Sequence, residues 1–322
     1  MPVTLGVLIR PTQSSGGHPN DWPLGRAALA LEAEGTAVIF GGRAERGVLV
    51  GQRATPNGWV DAKGSVHVVY DRFPALTHPT AWRDLRAALP GIPSANPPAL
   101  IALCRDKVAS QRRLVSRGLP MPELETHTGR FKERLQDWGA GFLKPRFGSF
   151  GEGVSRCTAG PSANVKEPIL QRAVNAPEGW AGWSVRVNVQ READGRWVAN
   201  PGALRRHRDD PVVNAARGAE VVAAIDHLPE HVDLMATLAR RAARAIADHP
   251  EGALLLELGV DFTIDTELNP WLIEVNGRPR GRVASLARRE PNRWTIAHNL
   301  AAERPLRTLR ELVSGDREPN KV

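Results

Sequence analysis

The chain has 322 residues, of which 42% are hydrophobic and 24% are charged, a composition typical of a globular protein with two or three packed units. The mean hydropathy is −0.31, and no apolar run approaches the roughly 18 residues of a membrane helix, which argues against a spanning segment. Lys and Arg number 43 against 35 Asp and Glu, a formal net charge of +8. Because no dense basic block with interleaved aromatic residues accompanies this charge, we do not expect a nucleic-acid partner.

The N-terminal part of the sequence alternates between strand and helix patterns. Residues 3–9 form an apolar run without the basic region of a signal peptide, so they predict the first strand of a cytoplasmic protein. Further strands are predicted at 36–40, 47–51 and 66–70, and helices at 24–34 and 81–89. This order predicts a small α/β domain over residues 1–98, which ends at Pro97 and Pro98.

The rest of the chain mixes helices with β-hairpins. Gly118 ends a predicted helix at 105–117, and apolar residues at helical spacing predict another helix around 235–246. Strands and hairpins are predicted at 141–146, 154–157, 184–199 and 253–276. The two cysteines, Cys104 and Cys157, form no C-x-x-C pair, which argues against a disulfide framework and against a cysteine zinc site.

A glycine-rich segment lies between two predicted strands. After Lys144 it carries three glycines and a serine, namely Gly148, Ser149, Gly151 and Gly153. Glycines allow backbone N–H groups to approach an anion closely, and a lysine can neutralise phosphates. The spacing is neither that of a P-loop nor that of a Rossmann loop, because no Lys-Ser/Thr ends it and a strand follows it. The pattern predicts a flap over a nucleotide, with a turn that binds no ligand as the alternative.

Residues 207–214 match the kinase catalytic-loop pattern H-R-D-x-x-x-x-N. In a protein kinase the essential lysine lies on a strand that follows the glycine loop. Here Lys107 and Lys144 both precede the loop. We therefore interpret the match as chance.

The hairpin predicted at 253–276 carries acidic residues on alternating positions. If 266–269 form its loop, Asp265 pairs with Pro270 and Asp261 lies opposite Glu274. Two opposed carboxylates repel each other unless a cation neutralises them. Asn276 shares the face of Glu274, and this oxygen-rich set suits Mg²⁺ bound with substrate phosphates. The alternative is a solvated acidic face.

Together these motifs resemble the ATP-grasp superfamily, most closely its YheC/YheD type, which is named for endospore coat association. The likeness lies in the segments 144–153, 184–190, 213–219 and 257–276 and extends from about residue 100 to 312. It implies mixed α/β and α+β structure, with an ATP-grasp fold after the small N-terminal α/β domain. The implied units are 1–98, 99–170 with the flap, 171–313 with the metal hairpin, and a frayed tail at 314–322.

The resemblance also implies roles for individual residues. The implied ATP-binding residues are Lys107, Lys144, Gly148, Ser149, Gly151, Gly153, Gln171, Arg172, Ala173 and Glu178. Among these, the two lysines would contact phosphates, residues 170–174 would hold the adenine edge, and Glu178 would contact the ribose. Asp261, Glu274 and Asn276 would bind Mg²⁺ or Mn²⁺. Arg186, Arg206 and Arg278 are implied as catalytic residues that bind the transferring phosphoryl group or a substrate carboxylate.

The activity implied is that of an ATP-dependent ligase that joins a carboxylate to an amine through an acyl phosphate. Its partners would be ATP, a carboxylate substrate and an amine acceptor, and its location cytoplasmic or spore-associated. Two alternatives remain open. One is a spore- or envelope-associated protein that binds ATP without catalysis, and the other is an ATP-grasp kinase of small molecules.

Overall fold

The computed structural model describes residues 3–10, 17–75, 77–148, 151–159, 165–213, 218–279 and 283–315. Within these ranges the chain forms three β-sheets and eight α-helices. None of the described helices combines the length and the apolar character that crossing a membrane requires.

The N-terminal sheet has six strands in the order β4-β3-β2-β1-β5-β6. They are β1 (Thr4–Leu8), β2 (Ala37–Glu45), β3 (Val48–Thr55), β4 (Gly58–Ser65), β5 (Val68–Asp71) and β6 (Ser94–Ala95). Four of them, β2, β1, β5 and β6, run parallel, whereas β3 and β4 extend β2 as antiparallel hairpins. Strand β4 was not predicted from the sequence, because this edge strand is half-buried to exposed and lacks an apolar run.

Helices cover both faces of this sheet. Helix α1 (Pro23–Ala33) packs on the face that carries Leu5 and Val7, and α2 (Pro79–Ala87) packs on the face that carries Leu8. The sidedness follows from the strand period of two, which sends alternate side chains to opposite faces.

Two helices follow where the sequence predicted one. Helix α3 (Pro98–Arg105) begins at Pro98, and α4 (Lys107–Val115) begins after Asp106. The Asp106 carboxylate caps α4, since Oδ1 accepts hydrogen bonds from the N–H groups of Val108 at 3.0 Å and Ala109 at 3.1 Å. This cap separates the two helices and places Lys107 in the first turn of α4.

A four-stranded sheet of order β7-β10-β8-β9 carries the glycine-rich segment. Its strands are β7 (Leu124–Glu125), β8 (Gly141–Pro145), β9 (Ser155–Cys157) and β10 (Pro168–Arg172). Helix α5 (Phe131–Trp138) packs on it through Phe131 and Leu135. The glycine-rich segment joins β8 to β9, in agreement with the predicted strand–loop–strand arrangement, and Ser149 lies outside the described residues.

The C-terminal sheet has the order β14-β13-β11-β15-β16, with β12 paired to β11. Its strands are β11 (Gly182–Arg191), β12 (Trp197–Ala199), β13 (Ala203–His207), β14 (Glu220–Ala223), β15 (Glu257–Ile264) and β16 (Pro270–Asn276). Helix α6 (Val232–Ala247) covers one face, where Met235 and Leu238 pack against Val185 and Val187. Part of the opposite face, around Arg186 on β11 and Asp261 on β15, borders the candidate site.

The C-terminal helices connect this sheet to the N-terminal domain. Helix α7 (Val283–Arg289) leads into α8 (Pro291–Ser314), whose Leu306 and Leu309 are buried in the N-terminal core. Arg307 and Arg310 of α8 form ion pairs with Glu34 after α1. Residues 316–322, most of the predicted frayed tail, lie outside the described residues.

Candidate functional site

A cavity of about 750 Å³ opens between the three sheets. Its floor is the part of the C-terminal sheet, on the face opposite α6, that carries Arg186 and Asp261. Strands β8 and β10 and the glycine-rich segment contribute the opposite side. The segment after β5 and helix α3 form a further wall. All three sheets therefore contribute residues to one cavity.

The pairing of β11, β15 and β16 determines which side chains of the floor lie next to each other. Arg186 on β11 pairs directly with Asp261 on β15, and Asp261 pairs with Glu274 on β16. The predicted opposition of Asp261 and Glu274 is therefore present. The loop register differs from the prediction, because Ile264 and not Asp265 pairs with Pro270.

A β-bulge in β16 explains how Ile264 can pair with Pro270 while Asp261 still pairs with Glu274. Phe262 pairs with Leu272 while Asp261 pairs with Glu274, which leaves Ile273 as the extra residue. Ile273 lines the cavity, a position that simple strand alternation did not predict.

Asp261 is the most enclosed acid of the floor, with 5% of its surface exposed. It accepts hydrogen bonds from Nε and Nη2 of Arg186 and, at 2.7 Å, from Nη2 of Arg205. Burial alone would raise the pKa of Asp261, but the charges of Arg186 and Arg205 outweigh it and hold the pKa well below its usual range.

Arg205, which was not predicted as a site residue, occupies the place expected for Arg206. The strand period sends Arg206 to the opposite face, where its Nε donates to Glu220 at 2.8 Å and its guanidinium lies 4.5 Å from the Trp180 ring. Arg206 is not among the described residues that line the cavity. The sequence alone does not show which of these two consecutive arginines faces the cavity, because that depends on the register of β13 against β11.

Two lysines face the acidic hairpin from the other side of the cavity. Lys144 on β8 is buried, and its Nζ donates to Oε1 of Gln171 at 2.6 Å. Burial lowers the pKa of Lys144 to about 8, although the charge of Glu274 opposes the shift. Lys107 donates to the carbonyls of Pro145 and Gly148, each at 3.2 Å, and burial also lowers its pKa.

Gly148 lies tight against its own strand. A Cβ at this position would lie 2.8 Å from Cγ of Pro145 and 3.7 Å from Nζ of Lys107. A larger residue would therefore move the start of the flap and crowd a cationic nitrogen. Gly151 also lines the cavity, whereas Gly153 does not.

Only some residues of the expected adenine- and ribose-binding segment, 170–178, line the cavity. Gln171 is buried between Lys144 and Gln111, and the exposed Arg172 pairs with Glu123 at 3.1 Å. Both Gln171 and Arg172 line the cavity, but Ala173 and Glu178 do not. The Ala173 N–H donates to the carbonyl of Ala140 and is thus used within the protein.

Arg278 lines the cavity next to the N-terminal domain. It forms an ion pair with Asp71, the last residue of the parallel strand β5, and its guanidinium lies 5.9 Å from the Trp82 ring. Burial lowers the pKa of Arg278, and Asp71 opposes this effect.

The kinase-like residues lie elsewhere. Asp209 is exposed, and its N–H donates to Nδ1 of His207 at 3.1 Å. Neither residue lines the cavity, and Asn214 lies outside the described residues.

The donor set of the hairpin fits a hard divalent cation. Glu274 forms no ion pair with any residue that the structure describes, although it lies close enough to the Asp261 carboxylate to influence its pKa. Asn276 contacts both, with its Nδ2 3.2 Å from Oδ2 of Asp261 and 3.4 Å from Oε1 of Glu274. Described residues offer no cluster of three His, Cys, Asp or Glu side chains, so a cation here would complete its shell with water or phosphate oxygens.

Comparisons with known proteins agree with this architecture. The family described as YheC/D like ATP-grasp matches residues 163–302. No curated protein is significantly similar to the chain. The predicted resemblance is thus confirmed over the part that contains the acidic hairpin.

Solved structures extend the likeness to nearly the whole chain. D-alanyl-alanine synthetase A from Vibrio cholerae is 17% identical with a TM-score of 0.58, and the match covers 95% of this chain and 99% of that one. D-cycloserine synthetase DcsG is 14% identical with a TM-score of 0.59, covering 96% and 99%. The ATP-grasp ligase PsnB is 17% identical with a TM-score of 0.53, covering 94% and 99%. At these identities the likeness shows the fold, and the predicted ATP-grasp fold is confirmed.

Proposed function

We propose that the protein is an ATP- and Mg²⁺-dependent ligase that joins a carboxylate to an amine through an acyl phosphate. The observation that carries the proposal is the opposition, across one cavity, of Lys107 and Lys144 to the Asp261–Glu274–Asn276 hairpin. Ammonium groups on one side and oxygen ligands on the other are the two requirements for binding a metal-bound triphosphate.

The nucleotide would lie with its phosphates between these two sides. Lys107 and Lys144 would contact the phosphates under the flap that begins at Gly148, and the end of β10 at Arg172 would lie near the base. Asp261, Glu274 and Asn276 would hold Mg²⁺, for which Mn²⁺ is a substitute. The metal supplies charge neutralisation at the phosphates when it is bound.

Arg186 and Arg205 would stabilise the transferring group. Both donate to Asp261, so two guanidinium charges share one carboxylate, and the floor has an excess positive charge once Mg²⁺ neutralises its second carboxylate, Glu274. A substrate carboxylate oxygen would attack the γ-phosphorus, and ADP would leave. The amine nitrogen would then attack the carbonyl carbon of the acyl phosphate, inorganic phosphate would leave, and the nitrogen would lose a proton to give the amide. A fixed cationic floor favours the spread of negative charge in both steps.

The comparisons support a ligase over the alternatives. The matched structures carry the names of synthetases and ligases, and one PsnB structure is described as complexed with Mg and ADP. We extend these properties to this chain as part of the proposal. Because ATP is the proposed co-substrate, we also propose a cytoplasmic location.

A screen of ADP and phosphate release over carboxylate–amine pairs tests the activity. Release that requires both a carboxylate and an amine identifies a ligase, and release with an acceptor alone identifies a kinase. Binding of ATP without turnover would support the non-catalytic alternative. Lys144→Ala should abolish release, whereas Lys132→Ala, an exposed lysine on α5, serves as the matched control.

A further inference from the structure

The cavity continues past the floor to a wall that belongs to the N-terminal domain and α3. This wall is formed by the segment that follows β5, by α2 and by α3. Its apolar members include Phe73, Pro79, Trp82 and Ile101. The acidic hairpin and the lysines occupy the other walls of the cavity. The substrate that reacts with ATP would therefore contact the wall formed by α2, α3 and the segment after β5.

The acids near this wall already have partners. Asp71 accepts from the N–H of Phe73 at 3.1 Å and from Nε1 of Trp82 at 2.7 Å, and it also pairs with Arg278. Glu257 similarly pairs with Arg72 at 2.9 Å. Neither carboxylate is therefore left to neutralise a further cation.

Two arginines of the same wall have no carboxylate partner among the described residues. Arg83 on α2 is exposed, and its Nη2 lies 3.5 Å from the hydroxyl of Thr80. Arg105, at the end of α3, is also exposed and lines the cavity. It lies near the phosphate side, since its charge adds to burial in lowering the pKa of Lys107.

We propose that Arg83 and Arg105 bind a second, non-reacting carboxylate of the substrate. This inference rests on the proposed function, in which the reacting carboxylate lies at the phosphates. The substrate class is then a dicarboxylate, such as an acidic amino acid or an acidic peptide end. Guanidinium groups bind carboxylates in a forked geometry, and Trp82 with Ile101 would contact the carbon chain between the two acid groups.

Titration calorimetry with matched ligand pairs tests the proposal at fixed physiological ionic strength. The full chain, with Mg²⁺ and a non-hydrolysable ATP analogue, is titrated with L-glutamate against L-glutamine and with glutarate against butyrate. We expect the acid with two carboxylates to bind at least about tenfold more tightly in each pair, as charged hydrogen bonds imply. Arg83→Ala and Arg105→Ala should each remove most of this preference while the analogue still binds.

Two control variants distinguish a direct contact with the carboxylate from a general electrostatic attraction by the positively charged protein. Arg112→Ala removes an exposed arginine of α4 that does not line the cavity, and it should keep the preference. Arg83→Lys keeps the charge without the fork, and it should fall between wild type and Arg83→Ala.

The outcomes distinguish this inference from the proposed function. Equal binding within each pair, or an unchanged preference in both alanine variants, overturns the inference. ADP release with neutral and acidic carboxylates alike overturns it as well but leaves the ligase intact. Glutamate binding that depends on both arginines, without ADP release from any carboxylate–amine pair, supports the site and overturns the ligase.

Discussion

Asp261 on β15 and Glu274 on β16 lie directly opposite each other, but only Asp261 has ion-pair partners among the described residues. Asp261 is neutralised by Arg186 and Arg205, whereas Glu274 forms no ion pair within the described part of the chain. The charge of Glu274 is instead directed toward the cavity, where it also opposes the lowering of the pKa of Lys107 and Lys144. Glu274 is therefore the acid that a bound cation would neutralise.

Glu274→Gln should separate metal binding from folding. Without Mg²⁺ the change should alter the free energy of unfolding by less than about 1 kcal/mol, because cross-strand pairs contribute about 0.2–1 kcal/mol and Asp261 is already paired. With Mg²⁺ and ATP, the variant should lose most of the stabilisation that ligand binding gives wild type by mass action. Melting curves in both conditions measure the two effects.

The matched control for this experiment lies in the loop of the same hairpin. Glu267→Gln changes an exposed carboxylate whose Oε2 accepts from Nδ2 of Asn269 at 3.3 Å. It should retain the full Mg·ATP stabilisation. Equal stabilisation of wild type and Glu274→Gln would remove Glu274 from the proposed metal site.

Arg205 and Arg206 should differ sharply in their effect on turnover. Arg205→Ala removes a buried guanidinium from the floor, and donors of this kind contribute about 10²–10³-fold to kcat in other enzymes. Arg206→Ala removes an ion pair with the exposed Glu220 and a contact with Trp180, so activity should remain within a few-fold. Steady-state ADP release compares the two, and similar losses in both would contradict the assignment of Arg205 to the site.

Parts of this site could be read from the sequence because they depend on local alternation. Glu274 and Asn276 share a face through the strand period alone, whereas Asp261 lies opposite Glu274 only because the bulge shifts the register by one residue. The bulge at Ile273 could not be read, because it depends on how the loop between β15 and β16 closes. The choice between Arg205 and Arg206 likewise depends on how β13 registers on β11, a long-range pairing that no local pattern contains. The polar edge strand β4 was missed for a related reason, since its backbone pairing and not its side chains makes it a strand.

Asn96 should be important for the stability of the acidic hairpin although it is not among the described residues that line the cavity. Its buried side chain accepts from the N–H groups of Leu256 and Glu257 and donates to the carbonyls of Glu257 and Gly277, and its φ is +52°. It thus links β6 to the start of β15 and to the residue after Asn276. Asn96→Ala should cost about 2–4 kcal/mol, since it leaves several buried groups unpaired.

Two further variants separate the contributions at this position. Asn96→Gly loses the same hydrogen bonds but adopts the positive φ more easily, so it should be about 1 kcal/mol more stable than Asn96→Ala. Asn96→Asp keeps the two acceptor contacts and loses the donors. Urea unfolding at constant m-value gives the comparison, and an Asn96→Ala protein as stable as wild type would show that these contacts do not hold the hairpin.

Lys144 should link nucleotide affinity and folding stability to pH with opposite signs. Burial lowers its pKa from 10.5 to about 8, so the ammonium that would bind phosphate is lost as pH rises through 8. ATP-analogue affinity should therefore fall between pH 7 and 9, by up to about tenfold per pH unit.

The folding stability should change with pH in the opposite direction. Between about pH 8 and 10.5 the unfolded chain binds more protons at this lysine than the native protein, so its contribution to stability rises with pH. Lys144→Met should weaken both dependences and leave the part that Lys107 contributes, since burial also lowers the pKa of Lys107. Lys132→Met, on the exposed face of α5, should retain both dependences in full. Calorimetric titrations and urea unfolding across this pH range decide the matter. An affinity that does not change with pH in wild type, or the same slope in Lys144→Met, would exclude Lys144 as the phosphate ligand.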